Sequence, residues 1–537
     1  GRSLFWATGR NSGAAAALDA ARLLLEGGMP LRVVSLRAKE KMCLNGVVTC
    51  HPDQCSYAHN YYVKRDETDA IAQLHQRGVA SSEDAMEIGE AAQICPHELA
   101  LDASKAVDLV VGDMNYLFDP HAMLKRHFPE HAKQWVIVVD EAHGLVGRVR
   151  RALSPEISTK EIDEALACLG EGLAWHNLVT RLSVLVRKSL LESGRYRDGR
   201  ALAEMPMLDL IDLLARCESQ ALVHPPEEPV RVVVAQLRRL VEHLRWRDGE
   251  SAGAFADISH EVGRISSLGS LCIDPSGWIS KQIRAFGGCV ILSATLRPEN
   301  FFIDNFGIRS LKPRVFDAGT PFPVENQLVL RVGTVSTRYK DRQSSSRAIA
   351  DLVASVVAVV DAGVAIYFSS YAAMDAVLPQ LHKLNCTLFI QKRSMTANER
   401  TLLLDNLKSS EGACALCAVL GGSFAEAVDL PPGVLDAVVI VGPGLPPVGL
   451  EQTLLQRHYQ QRFSEGFLYA SVVPGVSKVV QAAGRLIRRE EDRGAVVLIG
   501  DRFQDAMFYA HFPSWWVPVD VVDPTVYLSD YFAQETQ

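Results

Sequence analysis

The stretch WVIVVDEAHG places two carboxylates, Asp140 and Glu141, and an imidazole, His143, directly behind five apolar residues. A carboxylate in that place can organise the water shell of a Mg²⁺ ion, and a neighbouring one can orient or deprotonate water for phosphoryl transfer. A chance strand that ends in surface acids would also read D-E. The full D-E-A-H behind a buried run is far more specific. Farther along, LSATL (292–296) carries two small hydroxyls, Ser293 and Thr295, able to couple a nucleotide to nucleic acid. GGSFAEAVDLPPG (421–433) offers Glu426 and Asp429 in a loop after a strand. QAAGRLIRR (481–489) fits Q-x-x-G-R-x-x-R through Gln481, Gly484, Arg485 and Arg488. On a helix Gln481, Arg485 and Arg488 share one face. Planar guanidiniums there suit a triphosphate whose charge grows in the transition state.

A second set of reactive side chains lies upstream. Cys43, Cys50, Cys55 and Cys95 are spaced C-x6-C, C-x4-C and C-x39-C. Zinc sites usually pair their ligands two to four residues apart on a knuckle. Iron–sulfur clusters also take four thiolates, with more varied spacing. The residues alone leave open a cluster, zinc or unrelated buried thiols. Cys414 and Cys417 form a CxxC inside an apolar strand, where core packing is the expected role. Eleven cysteines, an odd number, with no visible secretory signal imply a reducing compartment, hence the cytoplasm.

These residues need elements to position them. Short β-branched runs recur: LRVVSL, VDLVVGD, WVIVVDEAH, CVILSAT, GVAIYFSS, DAVVIVG and GAVVLIG. Without alternation they predict strands buried on both faces, and the helical patterns between them predict parallel α/β layers. Residues 151–265 read as a helical insertion with few strand signals, and a second α/β domain begins near residue 299. A chain of 537 residues exceeds one core, so several domains are expected. The net charge of -8 excludes a protein that is basic all over but leaves room for a basic groove. The best membrane candidate, LVASVVAVVDAGVAIYF, has an apolar core bracketed by Asp351 and Asp361 that is too short to span a bilayer, so no membrane partner is expected.

Four cysteines ahead of a DEAH box, followed by VVGDMNYLFDP (110–120), resemble the XPD/DinG family of iron–sulfur superfamily 2 DNA helicases, in particular its bacterial stand-alone relatives. The resemblance implies two RecA-like motor domains, the first interrupted by an iron–sulfur domain and a helical Arch domain. The implied boundaries are 1–41, 98–150 and 266–298 for the first motor, 42–97 for the iron–sulfur domain, 151–265 for the Arch and 299–537 for the second motor. It implies a [4Fe-4S] cluster on Cys43, Cys50, Cys55 and Cys95, and ATP with Mg²⁺ held by Asp140. Glu141 would activate water beside His143, with Gln481, Arg485 and Arg488 completing catalysis and Asp429 and Gly484 binding nucleotide. It also implies 5′→3′ translocation on single-stranded DNA and unwinding of forked DNA, in DNA repair or related metabolism, near the nucleoid.

The sequence departs from the family in two places. The phosphate loop G-x-x-x-x-G-K-[ST] is absent. TGRNSG resembles instead the family's next motif, a loop that contacts the DNA backbone, here through Thr8 and Arg10. The expectation is that the sequence starts one strand too late; a degenerate motor is the other possibility. Ala427 stands where the family usually has Gly, which puts Glu426 and Asp429 in some doubt. Further DNA contacts are expected at Asn115, Tyr116, Tyr371, Arg393 and Glu426, although such a residue taken alone is more often core or surface than contact. Arg148, Arg150 and Arg151 form either a solvated turn or the basic rim of a DNA pore. Two other functions stay open: a non-enzymatic DNA-binding scaffold, and a motor acting on RNA or RNA–DNA hybrid.

Overall fold

The seven apolar runs all become strands, and in a computed structural model of the chain they organise two parallel sheets. The structure describes all residues except 1, 10, 47, 49, 123, 125–131, 193, 197–198, 202–204, 251–254, 263–264, 361–362, 382–383, 411, 427–432 and 534–537. Only the backbone is described at 11–12, 190–192, 194–196, 199–201, 248–250, 260–262, 265 and 426. The chain divides into one unit of residues 1–296 with 302–313, and another of 297–301 with 314–537.

In the first unit, β1 (Ser3–Thr8), β2 (Val33–Ser35), β3 (Val79–Ala80), β4 (Leu109–Asp113) and β5 (Trp135–Val139) join a later strand, β11 (Gly288–Ile291). The order is β11-β5-β1-β4-β2-β3 and every pairing is parallel. β1 lies between β5 and β4, with Thr8 opposite Asp113 and Ala7 opposite Val139. Thr8, Asp113 and the Asp140 turn therefore share the carboxyl edge, where open α/β sheets bind ligands. The helix Asn11–Glu26 covers one face by packing Ala17, Leu18 and Ala21 against Val33, Val79 and Val111.

Two expected boundaries change. β3 lies inside the segment assigned to the iron–sulfur domain, yet it pairs with β2 of the motor sheet. From residue 61 onward that segment is mostly helical, with helices at Tyr61–Glu67, Ala70–Gln76, Ser82–Ala91 and Pro96–Ala103. The insertion is also not purely helical. Its helices Thr159–Ala167, Ala174–Glu192, Met207–Val223 and Glu228–Glu250 accompany a sheet of β6 (Glu156–Ser158), β7 (Gly194–Tyr196), β8 (Gly199–Ala201), β9 (Phe255–Val262) and β10 (Ile265–Cys272). The order is β6-β10-β9-β8-β7, all antiparallel. β10 thus belongs to the insertion, although 266–298 was expected to be motor. Strands such as ISSLGSLC carry serine in place of a continuous apolar run, although Ser266, Ser267 and Ser270 are all buried.

The second unit holds β12 (Gln327–Val332), β13 (Gly363–Phe368), β14 (Thr387–Ile390), β15 (Cys414–Val419), β16 (Ala437–Val441), β17 (Gly494–Ile499) and β18 (Val519–Asp520). Their order is β14-β15-β13-β16-β17-β12-β18, all parallel. β13 sends Ala365 and Tyr367 into one apolar layer, and Val364, Ile366 and Phe368 into the other. Cys414 and Cys417 are buried in these layers, as their apolar surroundings predict. The membrane candidate resolves into the end of the helix Arg342–Val359 and the whole of β13. Among the described residues no helix is long and apolar enough to cross a membrane. Residues 302–313 pack with the first unit, so the second does not begin cleanly at 299.

Candidate nucleotide and nucleic-acid sites

The D-E-A-H turn is built by main-chain pairing at the sheet edge. The Asp140 N–H donates to Ala7 O at 2.8 Å, and that of Ala142 to Leu292 O at 3.1 Å. Two acidic and hydroxyl motifs far apart in sequence are thereby stitched together. Glu141 takes a left-handed backbone, φ 53°, and its own N–H donates to Asp140 Oδ1 at 2.8 Å. A non-glycine residue in that region is held by its surroundings and is typical of functional turns. His143 Nδ1 lies 3.2 Å from Glu141 Oε2 and 2.8 Å from Ser293 Oγ. Ser293 Oγ in turn accepts from the Thr295 N–H at 3.3 Å. Three of the residues marked in the sequence, with Ser293 and Thr295, thus form one network that can sense the group held by Asp140 and Glu141.

Thr8 belongs to this network's floor and not to a DNA surface. It is 3% exposed, and a Cβ placed on Gly13 would come within 2.5 Å of its Oγ1 and 3.0 Å of Asp140 Oδ2. A buried hydroxyl cannot reach a strand passing outside, so the expected backbone contact by this side chain is corrected. Tyr116 is corrected on the same ground. Its ring is 9% exposed and its hydroxyl donates to Arg37 O at 2.8 Å, with His97 Nε2 at 3.4 Å. Burial, then the nearby Asp113 and Glu40, push its hydroxyl up to about 12. Asn115 stays half-exposed; its N–H donates to Asp113 Oδ1 at 2.8 Å. Arg10 and Asp429 lie outside the described residues, as does the side chain of Glu426.

The basic run is only partly solvated. Arg148 donates to Gly9 O at 2.6 Å and to both oxygens of Asp113 at 3.3 and 3.2 Å. Arg150 reaches Ile273 O at 3.4 Å, and Arg151 alone is exposed. Sequence spacing gives no signal for the Arg148–Asp113 pair, because Asp113 ends β4 while Arg148 lies in the helix Leu145–Ala152.

In the second unit the helix carrying Gln481 ends at Ala483, with Gly484 as its cap. The single helical face expected for Gln481, Arg485 and Arg488 is therefore corrected: the arginines follow on an irregular turn. Arg485 is 8% exposed and its Nε donates to Ala425 O at 3.2 Å. Arg485 and Arg488 lie near fully buried Tyr367, whose hydroxyl burial pushes up to about 12 although both arginines pull it down. The Arg488 N–H donates to Asp492 Oδ2 at 2.9 Å. Tyr371 and Arg393, marked separately as DNA contacts, are brought together: the guanidinium stands 4.8 Å from the ring centroid. The Tyr371 hydroxyl donates to Lys392 O at 3.3 Å, and Arg393 pairs with Asp375 at 2.9 Å.

Around the cysteines, Asn45 Nδ2 donates to the buried Cys55 Sγ at 3.0 Å, and the Cys95 N–H donates to Tyr57 O at 3.0 Å. Cys95 precedes the helix Pro96–Ala103. Burial raises its thiol, and the N–H groups of Glu98 and His97 pull the other way. Lys39 stands near Cys50 and Cys95 and pairs with Glu98 at 3.3 Å. In donor chemistry these groups fit a thiolate-bound cluster. Among the described residues, however, no three His, Cys, Asp or Glu stand close enough to define a metal's coordination.

Comparison with known proteins places this geometry. The DEAD_2 family matches residues 28–162, and the family described as Helicase C-terminal domain matches residues 353–519. The regulator of telomere elongation helicase 1 homolog of Drosophila mojavensis is 21% identical over 606 residues, covering 90% of this chain and 58% of that one. The ATP-dependent DNA helicase chl1 of Aspergillus niger is 23% identical over 532 residues, covering 81% and 61%. The chain spans about three fifths of the length of these curated relatives. A solved structure described as XPD helicase aligns with a TM-score of 0.60 at 17% identity, over 97% of this chain and 96% of that one. The two family matches thus fall in order, DEAD_2 across the sheet that carries the DEAH turn and the Helicase C-terminal domain across the second sheet, and the fold of the chain resembles that of the XPD helicase.

Proposed function

We propose that the protein is an ATP-dependent DNA helicase that moves 5′→3′ on single-stranded DNA, opens forked duplexes and serves DNA repair or related metabolism. The observation that carries this reading is the Glu141–His143–Ser293 network at the carboxyl edge of a parallel sheet. In this reading Asp140 holds the Mg²⁺ shell of ATP and Glu141 orients the attacking water. His143 passes the state of that site to Ser293 and Thr295. Arg485 and Arg488 supply charge to the phosphates. Cys43, Cys50, Cys55 and Cys95 hold a [4Fe-4S] cluster, whose contribution is to tie together a segment of short helices. Two relatives named as helicases support the reading, one of them as an ATP-dependent DNA helicase.

The test uses the complete gene product, purified without oxygen. ATP hydrolysis should rise with single-stranded DNA, and a fork with a blocked 5′ tail should resist opening while one with a blocked 3′ tail opens. Iron and sulfide should approach the content of one four-iron cluster. DNA binding without hydrolysis would instead support a scaffold. Faster opening of RNA–DNA hybrid than of DNA would move the substrate class, and zinc without iron would sink the cluster.

A further inference from the structure

We infer that Arg148 is a positioning residue that ties the loop after β1 to the D-E-A-H turn, so that the grip on a single strand follows the state of the nucleotide site. The inference rests on the helicase reading above and adds to it a residue outside the recognised motifs.

Three ends of adjacent strands meet at this side chain. The helix Leu145–Ala152 begins immediately after the turn Ala142–Gly144, so Arg148 moves with the box. Its Nη2 donates to Gly9 O at 2.6 Å, one residue beyond β1. Its Nη1 donates to both oxygens of Asp113 at 3.3 and 3.2 Å, the last residue of β4. Asp113 Oδ1 also accepts from the Asn115 N–H at 2.8 Å, so the same carboxylate opens the N-Y-L-F turn. β5, β1 and β4 are neighbours in the sheet, and one guanidinium bridges the exits of all three.

Gly9 is shaped for this contact. A Cβ there would stand 2.8 Å from Arg148 Nη2 and 3.1 Å from Cζ, so any larger residue would have to push the guanidinium aside. The side chains of Arg148 and Asp113 are 29% and 41% exposed, and an ion pair so open adds little to stability. Its value is therefore geometric. A planar fork can hold a carbonyl and a carboxylate together, which a lysine's single nitrogen cannot match. A change in the Asp140–His143 turn would shift the helix, and through Arg148 the Gly9 carbonyl and the Asp113-capped turn.

The complete gene product with Arg148→Ala, Arg148→Lys, Gly9→Ala and the Gly9→Ala/Arg148→Ala pair tests this. Hydrolysis without DNA should keep its kcat and its KM for ATP. The DNA concentration that gives half-maximal stimulation should rise roughly tenfold in Arg148→Ala. Arg148→Lys should not restore it, and Gly9→Ala should match Arg148→Ala, with the pair no worse than either alone. Affinity for fluorescent oligo-dT, measured without nucleotide and with ADP·Mg²⁺, should lose its nucleotide dependence in the variants. Normal behaviour of Arg148→Lys, additive losses in the pair, or unchanged DNA affinity would overturn the inference. A wild-type protein that never hydrolyses ATP would sink the motor reading alone. The clamp would then stand or fall on whether Arg148→Ala and Gly9→Ala weaken oligo-dT equally.

Discussion

Glu141 sits in a left-handed conformation that an unbranched acid adopts only at a cost of about 1–2 kcal/mol, balanced here by the Asp140 carboxylate on its N–H and by the pairing of Ala142 with Leu292. That turn points the carboxylate toward His143 and away from a regular helix. Glu141→Gln keeps the shape and removes the base. ATP binding should persist while hydrolysis falls by about 10²- to 10⁴-fold, as single-turnover and nucleotide-binding measurements on the complete protein would show. His143 is the next link, because its Nδ1 faces both Glu141 and Ser293. His143→Ala and Ser293→Ala should each reduce unwinding more than DNA-free hydrolysis, and the pair should lose no more than one of them. Additive losses would show that the two side chains act separately.

At the scale of elements, a buried carboxylate helps hold the helix Tyr61–Glu67 to the helix Pro96–Ala103. Asp102, 8% exposed, accepts from Tyr61 Oη at 3.1 Å, Arg65 Nη1 at 2.8 Å and Lys105 Nζ at 2.8 Å. Burial alone would push this carboxyl up, but the bonds from Lys105, Arg65 and Tyr61 hold it below its ordinary value. A carboxylate whose folded pKa is depressed contributes stability above its unfolded value of about 4 and loses it as pH falls through the folded value. Asp102→Asn should therefore destabilise this helix pair by about 1.5–3 kcal/mol at neutral pH and by less at pH 3, read as faster amide exchange over residues 61–67. Equal loss at both pH values would rule out the charge.

The elements also explain what the sequence could reveal. Parallel strands buried on both faces write themselves as apolar runs, and all seven such runs are strands. β9 and β10 carry Asp, Ser and His because their antiparallel sheet has other needs, so the insertion passed for helices alone. Motif spacing found the D-E-A-H turn and its hydroxyl partners. It mistook Gln481–Arg488 for a helix, because Gly484 ends the helix inside the motif. It also offered Thr8 and Tyr116 as contacts, since burial depends on the packing of distant residues such as Gly13 and Arg37.

At the scale of the whole molecule, the proposed function asks an acidic body to hold a polyanion. With a net charge of -8, affinity for DNA cannot come from the overall field and has to come from local groups at the sheet edges. In the second unit Tyr371 follows β13 and Arg393 follows β14, and the two stack at 4.8 Å. The pair offers a base a flat ring and a phosphate a cation, neither of which reads sequence. Tyr371→Ala should weaken oligo-dT by about 1–3 kcal/mol and leave the salt dependence nearly unchanged, since a stacked base releases no counterions. Arg393→Ala should reduce the slope of log affinity against log salt by about 0.7, the value for one phosphate contact on a single strand. Wild-type affinity should be similar for mixed and homopolymer single strands and clearly lower for blunt duplex. Fluorescence anisotropy across a salt series separates the two roles. Equal salt slopes in wild type and Arg393→Ala would remove Arg393 from the phosphate path, and unchanged affinity in Tyr371→Ala would leave the ring as support for the guanidinium alone.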